Sequence, residues 1–283
     1  MEKRNCIKVC VTGGSGFIGS WLVKKLLEKG YTVHATLLNL NEELEVGFVK
    51  SLPYADTRLV LFQADIYNPG EFEPAIEGCH YVFHVATPLH HNAQSTKYED
   101  TTEAAIAGVK RIADSCIRSK TVKRLIYTAS VMASSPLKED GSGFKSSLNE
   151  SCWTPLNLSF NFSDDFLLAY TKSKTLAEME VLRYNEIGNG ELEVVSLLCG
   201  LVGGDNTLLS YLPASVAVIV SQITGDLTSY GSLRFIHELL GSIPLAHIDD
   251  VREAHIFCIE KESLRGRFLC TSADPILKDM ANY

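Results

Sequence analysis

Short apolar runs alternate with longer amphipathic segments along the first 130 residues of the chain. Runs of this length and β-branched content are typical of buried strands, which are predicted at residues 7–11, 31–37, 58–64, 80–86 and 122–129. The segments between them space their apolar residues as one face of a helix does, and they predict helices at residues 17–29, 42–52, 72–76 and 101–118. Alternating strands and helices predict an α/β fold with a doubly wound parallel sheet.

The pattern becomes less regular in the second half of the chain. Residues 134–164 are rich in Ser, Gly and Asn and predict a loop, which is followed by a predicted helix at 165–186 and a strand at 192–199. A last helix is predicted to begin near His247, with Asp249 as its N-cap.

Residues 205–241 show no clear alternation, although they contain several apolar runs. We interpret them as part of a smaller lobe that closes over the edge of the sheet. The chain is therefore predicted to form two interleaved lobes, one built mainly from residues 1–204 and the other mainly from residues 205–283.

Three glycines follow the first predicted strand directly. Gly13, Gly16 and Gly19 lie between that strand and the first amphipathic helix. Glycines at such a turn let backbone N–H groups approach a pyrophosphate at the N-terminus of the helix, where the helix dipole favours anions. An ordinary Gly-rich turn would show the same residues, but the strand before and the helix after favour a dinucleotide site.

The end of the second strand is where such a site distinguishes a free ribose 2′-hydroxyl, read by an acid, from a 2′-phosphate, read by an Arg. This chain has Leu38 there, followed by Glu42, Glu43 and Glu45. The glutamates also fit a solvated helix face. These residues by themselves leave the choice between NAD and NADP open.

Residues after the third and fourth strands fit the same site, because ligands of doubly wound sheets bind beyond the carboxyl ends of the strands. The carboxylate of Asp65, which Ile66 follows, could accept a hydrogen bond from an adenine amino group. Val85, Ala86 and Thr87 are small residues suited to a cofactor that crosses the strand tip. Each could instead be an ordinary loop residue, and their shared position is what favours binding.

Tyr170 and Lys174 are four residues apart in the predicted 165–186 helix, which places a phenol and an ammonium on one face. A cation beside a phenol stabilises the phenolate and so prepares the Tyr as a general acid. Ser130 ends the fifth strand and could hydrogen-bond a substrate carbonyl. The order of Gly-rich turn, Ser130, Tyr170 and Lys174 predicts a catalytic site rather than a chance pairing on a solvated helix.

The amino-acid composition limits the classes of partner and the compartment that are expected for this chain. The chain has 26 Lys+Arg against 34 Asp+Glu, a net charge of −8, which gives no support for a nucleic-acid or membrane partner. No apolar run approaches the ~18 residues of a membrane span. The eight cysteines are dispersed without a C-x-x-C pair, which favours reduced thiols and a cytoplasmic protein.

The pair His90–His91 follows the fourth strand and suggests a metal site at first sight. Adjacent histidines rarely converge on one ion, and no acid or Cys at suitable spacing completes a ligand set. We therefore predict no metal, and we interpret His90 as a residue at the rim of a substrate pocket.

The chain resembles the extended short-chain dehydrogenase/reductase family. Within it, the likeness is to the plant branch that contains dihydroflavonol 4-reductase, vestitone reductase, anthocyanidin reductase and cinnamoyl-CoA reductase. It extends over essentially the whole chain and is carried by motifs at residues 11–21, 83–88, 120–124, 173–178 and 247–256. The resemblance implies a Rossmann lobe with a smaller C-terminal substrate lobe. It also implies hydride delivery from a nicotinamide C4 to a carbonyl carbon, with NADP as cofactor.

The resemblance further implies residue roles. Tyr170 would donate a proton, Ser130 would polarise the carbonyl oxygen, and Lys174 would tune Tyr170 and bind ribose. Cofactor contacts are expected at Gly13, Ser15, Gly16, Phe17, Ile18, Gly19, Leu38, Asp65, Ile66, Val85, Ala86, Thr87, Thr128, Tyr170, Lys174, Cys199, Val202 and Ser215. Substrate contacts are expected at Pro88, His90, Ser135 and Phe166.

The chain departs from the family pattern at several positions. Leu38 replaces the Arg that contacts the 2′-phosphate, so NAD stays possible beside NADP. Cys199 replaces a Pro at the end of strand six, and Ser135 replaces the Asn of many dihydroflavonol reductases. Relatives extend a few dozen residues further, so the substrate lobe is expected to be incomplete.

The sequence thus predicts an NAD(P)H-dependent reductase of a small, hydrophobic, phenolic or flavonoid-like ketone, as a monomer or weak homodimer. One alternative is a nucleotide-sugar epimerase or dehydratase, although the apolar segment at residues 156–168 suits a sugar diphosphate poorly. The other is a cofactor-binding protein with lost or weak turnover.

Overall fold

A computed structural model describes residues 7–88, 97–187, 190–205, 209 and 211–280. Nine strands are assigned within these residues: β1 (Lys8–Thr12), β2 (Thr32–Leu37), β3 (Leu59–Gln63), β4 (Tyr81–His84), β5 (Arg124–Ser130), β6 (Glu193–Cys199), β7 (Leu201–Gly203), β8 (Leu245–His247) and β9 (Gly266–Cys270). Ten α-helices accompany them: α1 (Phe17–Glu28), α2 (Glu43–Lys50), α3 (Ala55–Arg58), α4 (Glu73–Ile76), α5 (Thr101–Ser119), α6 (Asp165–Leu182), α7 (Ala214–Thr224), α8 (Leu227–Leu240), α9 (Ile248–Glu260) and α10 (Leu277–Met280).

Seven of the strands form one sheet in the order β3-β2-β1-β4-β5-β6-β9, and every neighbouring pair is parallel. β7 and β8 form a separate parallel pair. The order reverses direction between β1 and β4, which makes that point a switch where ligands bind in doubly wound sheets. The predicted doubly wound α/β fold is confirmed.

Each face of the sheet is covered by its own apolar core. One core includes residues of α5 and α6, and the other includes residues of α1 and α9. Helices on both faces explain why β5 is buried along its whole length, as strands of parallel sheets usually are. The seven cysteines of the described residues are free and buried. No helix in the described part of the chain is both long and apolar enough to cross a membrane.

The six strands predicted from the sequence match β1–β6 to within about two residues at most of their ends. The structure adds α7 and α8 inside the segment that showed no alternation. β9 returns to the main sheet beside β6, so the segment after residue 204 contributes to the sheet as well as to the smaller structure around it. The division of the chain into two lobes at residue 204 stays a prediction.

The prediction of Asp249 as a helix N-cap is wrong. α9 begins at Ile248, and the cap is His247, whose backbone is extended and whose imidazole nitrogen accepts the N–H of Asp249 at 3.2 Å. Asp249 lies instead in the first turn, where its charge is favourable to the helix dipole.

Candidate active site

The predicted Gly-rich turn connects β1 to α1 and approaches the strand-end segment after β4. Gly13 has a left-handed φ of +69°, and a Cβ there would lie 3.2 Å from the backbone of Ala86. A Cβ on Gly19 would overlap the carbonyl oxygen of Gly13. Gly16 caps α1 without a side chain. The turn therefore presents bare backbone at a helix N-terminus, which fits a pyrophosphate.

Thr12 holds this turn against the neighbouring strand, and sequence reasoning missed it. Its Oγ1 accepts the N–H groups of Val85 and Ala86, both at 3.0 Å, and lies 2.9 Å from Nδ1 of His84. With both lone pairs used, the hydroxyl donates its proton to His84 Nδ1. Burial, with the charge of Lys174 as a smaller cause, lowers the pKa of His84 to about 3, so this ring is neutral.

The residues expected near the adenosine half lie at the ends of β2 and β3. Leu38 follows β2 and is 64% exposed. Asp65 is partly buried, and its carboxylate accepts the N–H of Tyr67 at 2.9 Å. Ile66 is buried, and its side chain lies so close to Gly108 of α5 that a Cβ on Gly108 would force the Ile66 side chain to shift. Ser15, inside the Gly-rich turn, donates to the Glu45 carboxylate at 2.8 Å.

Ser130, Tyr170 and Lys174 come together at the carboxyl end of the sheet. Ser130 lies close enough to Tyr170 for its hydroxyl group to lower the pKa of that phenol, against the larger effect of burial. Lys174 Nζ donates to Thr87 Oγ1 at 2.7 Å and to the carbonyl of Thr128 at 3.0 Å. The structure therefore brings the three predicted catalytic side chains into one place, with two predicted cofactor residues beside them.

Burial dominates the acid–base properties of this group. It raises the pKa of Tyr170, and the hydroxyl of Ser130 opposes that rise. It lowers the pKa of Lys174 to about 8, against the weaker effects of Cys199 and Glu178. At neutral pH the phenol is thus protonated, as a proton donor must be, and the lysine beside it still carries most of its charge.

α6 is held in place by a buried ion pair that sequence reasoning also missed. Glu178 is fully buried, and Arg267 of β9 donates to both of its carboxylate oxygens, at 2.8 and 3.0 Å. Ser196 of β6 donates to the same carboxylate at 2.5 Å. The sequence offered one signal for a buried Glu178, which lies one helical turn after Lys174. The partner of Glu178, Arg267, is 89 residues away, so the ion pair itself could not be predicted.

Arg267 also reaches the segment that follows Ser130. Its guanidinium donates to the carbonyls of Ala133, at 3.0 Å, and Cys152, and it lies 3.7 Å from the ring centre of Trp153. One side chain thus connects β9, α6 and the loop after β5.

Three further predicted cofactor residues lie at the end of β6 or after it. Cys199 ends β6, in register with Ser130 of β5 and Cys270 of β9. Its hydrogen bond with Cys270, together with burial, raises the pKa of its thiol. Val202 is buried in β7, and its carbonyl accepts the hydroxyl of Ser215 at 2.7 Å.

The predicted substrate residues have different surroundings. Phe166 is 41% exposed, and its ring is stacked on that of Tyr170 with centres 6.3 Å apart. Pro88 lines a small cavity together with Lys174. Ser135 is fully buried, and its hydroxyl donates a hydrogen bond to the backbone carbonyl of Leu239 in α8 at 2.5 Å. His90 lies outside the described residues.

Comparison with known proteins agrees with this geometry. Residues 9–268 match the model of the NAD dependent epimerase/dehydratase family. A putative anthocyanidin reductase of Ginkgo biloba is 39% identical over 275 residues, which cover 97% of this chain and 78% of that protein. Vestitone reductase of Medicago sativa is 38% identical over 265 residues, or 93% of this chain and 76% of that protein.

Solved structures show the same fold. The crystal structure of alfalfa vestitone reductase superimposes with a TM-score of 0.76 at 34% identity, and it covers 97% of this chain and 80% of its own. Yeast methylglyoxal/isovaleraldehyde reductase, solved with NADPH, has a TM-score of 0.74 at 20% identity, with 95% and 79% of the two chains covered, which is a likeness of fold. The resemblance predicted from the motifs is confirmed: the chain belongs to the NAD dependent epimerase/dehydratase family.

Proposed function

We propose that this protein is an NAD(P)H-dependent reductase that transfers hydride to the carbonyl carbon of a hydrophobic, phenolic or flavonoid-like ketone. The observation that carries the proposal is the group of Ser130, Tyr170 and Lys174 at the carboxyl ends of the strands, next to the Gly-rich turn. The relatives named above are reductases of flavonoid-type compounds, which supports the same chemistry here.

The chain's own residues suit a dinucleotide. The bare backbone between Gly13 and Gly19 would hold the pyrophosphate, and the Lys174 ammonium, already paired with Thr87, would hold the nicotinamide ribose hydroxyls. When bound in reduced form, the nicotinamide supplies the hydride that adds to the carbonyl carbon.

The protein supplies the proton. Ser130 would hydrogen-bond the carbonyl oxygen, and Tyr170 would transfer its phenolic proton to that oxygen as negative charge develops on it. The resulting phenolate is stabilised by the Lys174 cation four residues along the same helix face. The product is the alcohol, and Tyr170 recovers a proton from solvent before the next cycle.

Apolar rings beside the site support a flat, hydrophobic substrate. Phe166 is 41% exposed and is stacked on Tyr170, whereas Phe162 lies under the Arg234 guanidinium, 3.9 Å from its ring centre. Phe160, by contrast, packs edge-to-face on Phe235 of α8, with ring centres 5.3 Å apart, and belongs to the core. An apolar rim favours an aromatic ketone over a nucleotide sugar.

We propose further that the protein works in the cytoplasm as a monomer or weak homodimer. The buried, free thiols support a reducing compartment. Sedimentation velocity over a range of concentrations tests the oligomeric state, and imaging of a fluorescent fusion tests the location.

The test is Tyr170→Phe, assayed with NADH and NADPH on a panel of a dihydroflavonol, an isoflavanone and a nucleotide sugar. Turnover of the ketone should fall by about 10²-fold or more, with cofactor affinity within about twofold of the native value, because only the proton donor is lost. Tyr184→Phe is the matched control, since that phenol donates to Asp114 away from the site. Undiminished turnover in Tyr170→Phe would refute the mechanism, and turnover of the nucleotide sugar alone would refute the substrate class.

A further inference from the structure

A carboxylate is fixed beside the Gly-rich turn. Glu45 lies in the first turn of α2, and its Oε2 accepts the hydroxyl proton of Ser15 at 2.8 Å. Ser15 lies between Gly13 and Gly16, in the backbone that would surround the pyrophosphate. The hydrogen bond limits the freedom of the exposed Glu45 side chain to turn away from the site.

The segment that leads from β2 to Glu45 lacks positive charge. No Lys or Arg occurs between Lys29 and Lys50. Leu38, directly after β2, is 64% exposed, and Leu44 is 80% exposed, so apolar side chains face solvent where a phosphate would need cations. In doubly wound sheets this strand end is where the 2′ position of the adenosine ribose is recognised.

We propose that Glu45 is a cofactor-specificity residue which disfavours the 2′-phosphate, so that this chain binds NADH more tightly than NADPH. The inference rests on the proposed function, because it places a dinucleotide in the same site. NADH and NADPH share the pyrophosphate that the turn would bind, and they differ only in the phosphate that Glu45 would face.

The physical reason is charge. A phosphate monoester carries between about −1.5 and −2 at pH 7, so a carboxylate that faces it repels it, and contact-range repulsion of this kind in water corresponds to roughly tenfold in affinity.

Calorimetric titration of the purified full chain with NADH and with NADPH tests the proposal. The native protein should bind NADH more tightly. Glu45→Gln should tighten NADPH by about tenfold and leave NADH within about twofold, and Glu45→Lys should tighten NADPH further. Added salt should narrow the difference between the two cofactors in the native protein, because it screens an exposed charge.

Glu43→Gln is the matched control, because Glu43 is an exposed acid in the same first turn of α2. It should change neither affinity by more than about twofold. A native preference for NADPH, or equal effects of Glu43→Gln and Glu45→Gln, would overturn the specificity role and leave the reductase function standing. Absence of binding by either dinucleotide, with far-ultraviolet circular dichroism showing a folded chain, would overturn the proposed function as well.

Discussion

Arg267→Met should cost this protein a large part of its stability, because it removes one partner of a buried ion pair. Both charges lie inside the fold, with the side chain of Arg267 only 6% exposed and that of Glu178 fully buried. The substitution keeps an unbranched side chain that extends to about the position of the arginine Nε, but it leaves the Glu178 carboxylate with Ser196 as its remaining donor among the described contacts.

The expected loss in the free energy of unfolding can be estimated from the usual cost of a buried charge without a partner. Removing one member of a buried pair leaves an uncompensated charge, which typically costs about 3–5 kcal/mol. Arg267→Met also removes donors from the carbonyls of Ala133, Glu150 and Cys152. We therefore expect a loss at the upper end of that range, compared with a total free energy of unfolding of about 5–15 kcal/mol for folded proteins.

Equilibrium urea unfolding measures the loss. Trp153, which lies under the Arg267 guanidinium, provides a fluorescence signal close to the substitution, and circular dichroism provides a global one. Arg267→Lys keeps the charge but cannot repeat the two parallel hydrogen bonds to Glu178, so it should lose less than Arg267→Met but more than about 1 kcal/mol.

The double variant Glu178→Met/Arg267→Met tests whether the unpaired charge of Glu178 causes the loss of stability. If the cost comes from a stranded buried charge, removing both charges should restore much of the stability that Arg267→Met loses. A loss of less than about 1 kcal/mol in Arg267→Met would show that the pair is not buried as described. A double variant less stable than Arg267→Met would show that packing, rather than charge, accounts for the loss.

Two further predictions concern the turn and a buried imidazole. Gly19→Ala should weaken binding of either dinucleotide by more than about tenfold in calorimetric titration, since its methyl group would overlap the Gly13 carbonyl; unchanged affinity would show that the turn is not the pyrophosphate site. Burial lowers the pKa of His255 to about 4, so on acidification the unfolded chain takes up a proton on this residue before the folded chain does. The free energy of unfolding should therefore fall as the pH drops from about 6.5 to about 4, by on the order of 3 kcal/mol for this residue. Urea unfolding as a function of pH measures this, and an equal fall in His255→Gln would show that other groups cause it.

The sequence predicted the parts of this fold that depend on local pattern. β1–β6 are short apolar runs, and burial on both faces of a parallel sheet requires such runs. The meeting of Ser130 with Tyr170 and Lys174 was predictable because one residue ends a strand and the other two share a helix face. Roles for these residues stay proposals.

Other parts depend on contacts between distant residues, which no local pattern reveals. β9 is five residues long and contains Arg267, a poor signal for a buried strand unless its partner Glu178 is known. Thr12 is one hydroxyl among many until the fold brings it against Val85 and Ala86. Such long-range hydrogen bonds form only after the chain has folded.

α6 shows why its two buried charges need different explanations. Much of its buried face is polar, including Thr171, Lys174, Thr175 and Glu178, where a helix that served packing alone would carry apolar side chains. Glu178 meets Arg267, and that pair can be understood as an anchor. Lys174 instead has a hydroxyl and a carbonyl as its hydrogen-bond partners among the described residues, and burial without a carboxylate at ion-pair distance lowers its pKa to about 8. A buried cation in such surroundings weakens the fold unless a further group completes its environment. The ribose hydroxyls of a cofactor and the developing phenolate of Tyr170 are groups of that kind, and therefore Lys174 is better explained by the reaction than by stability.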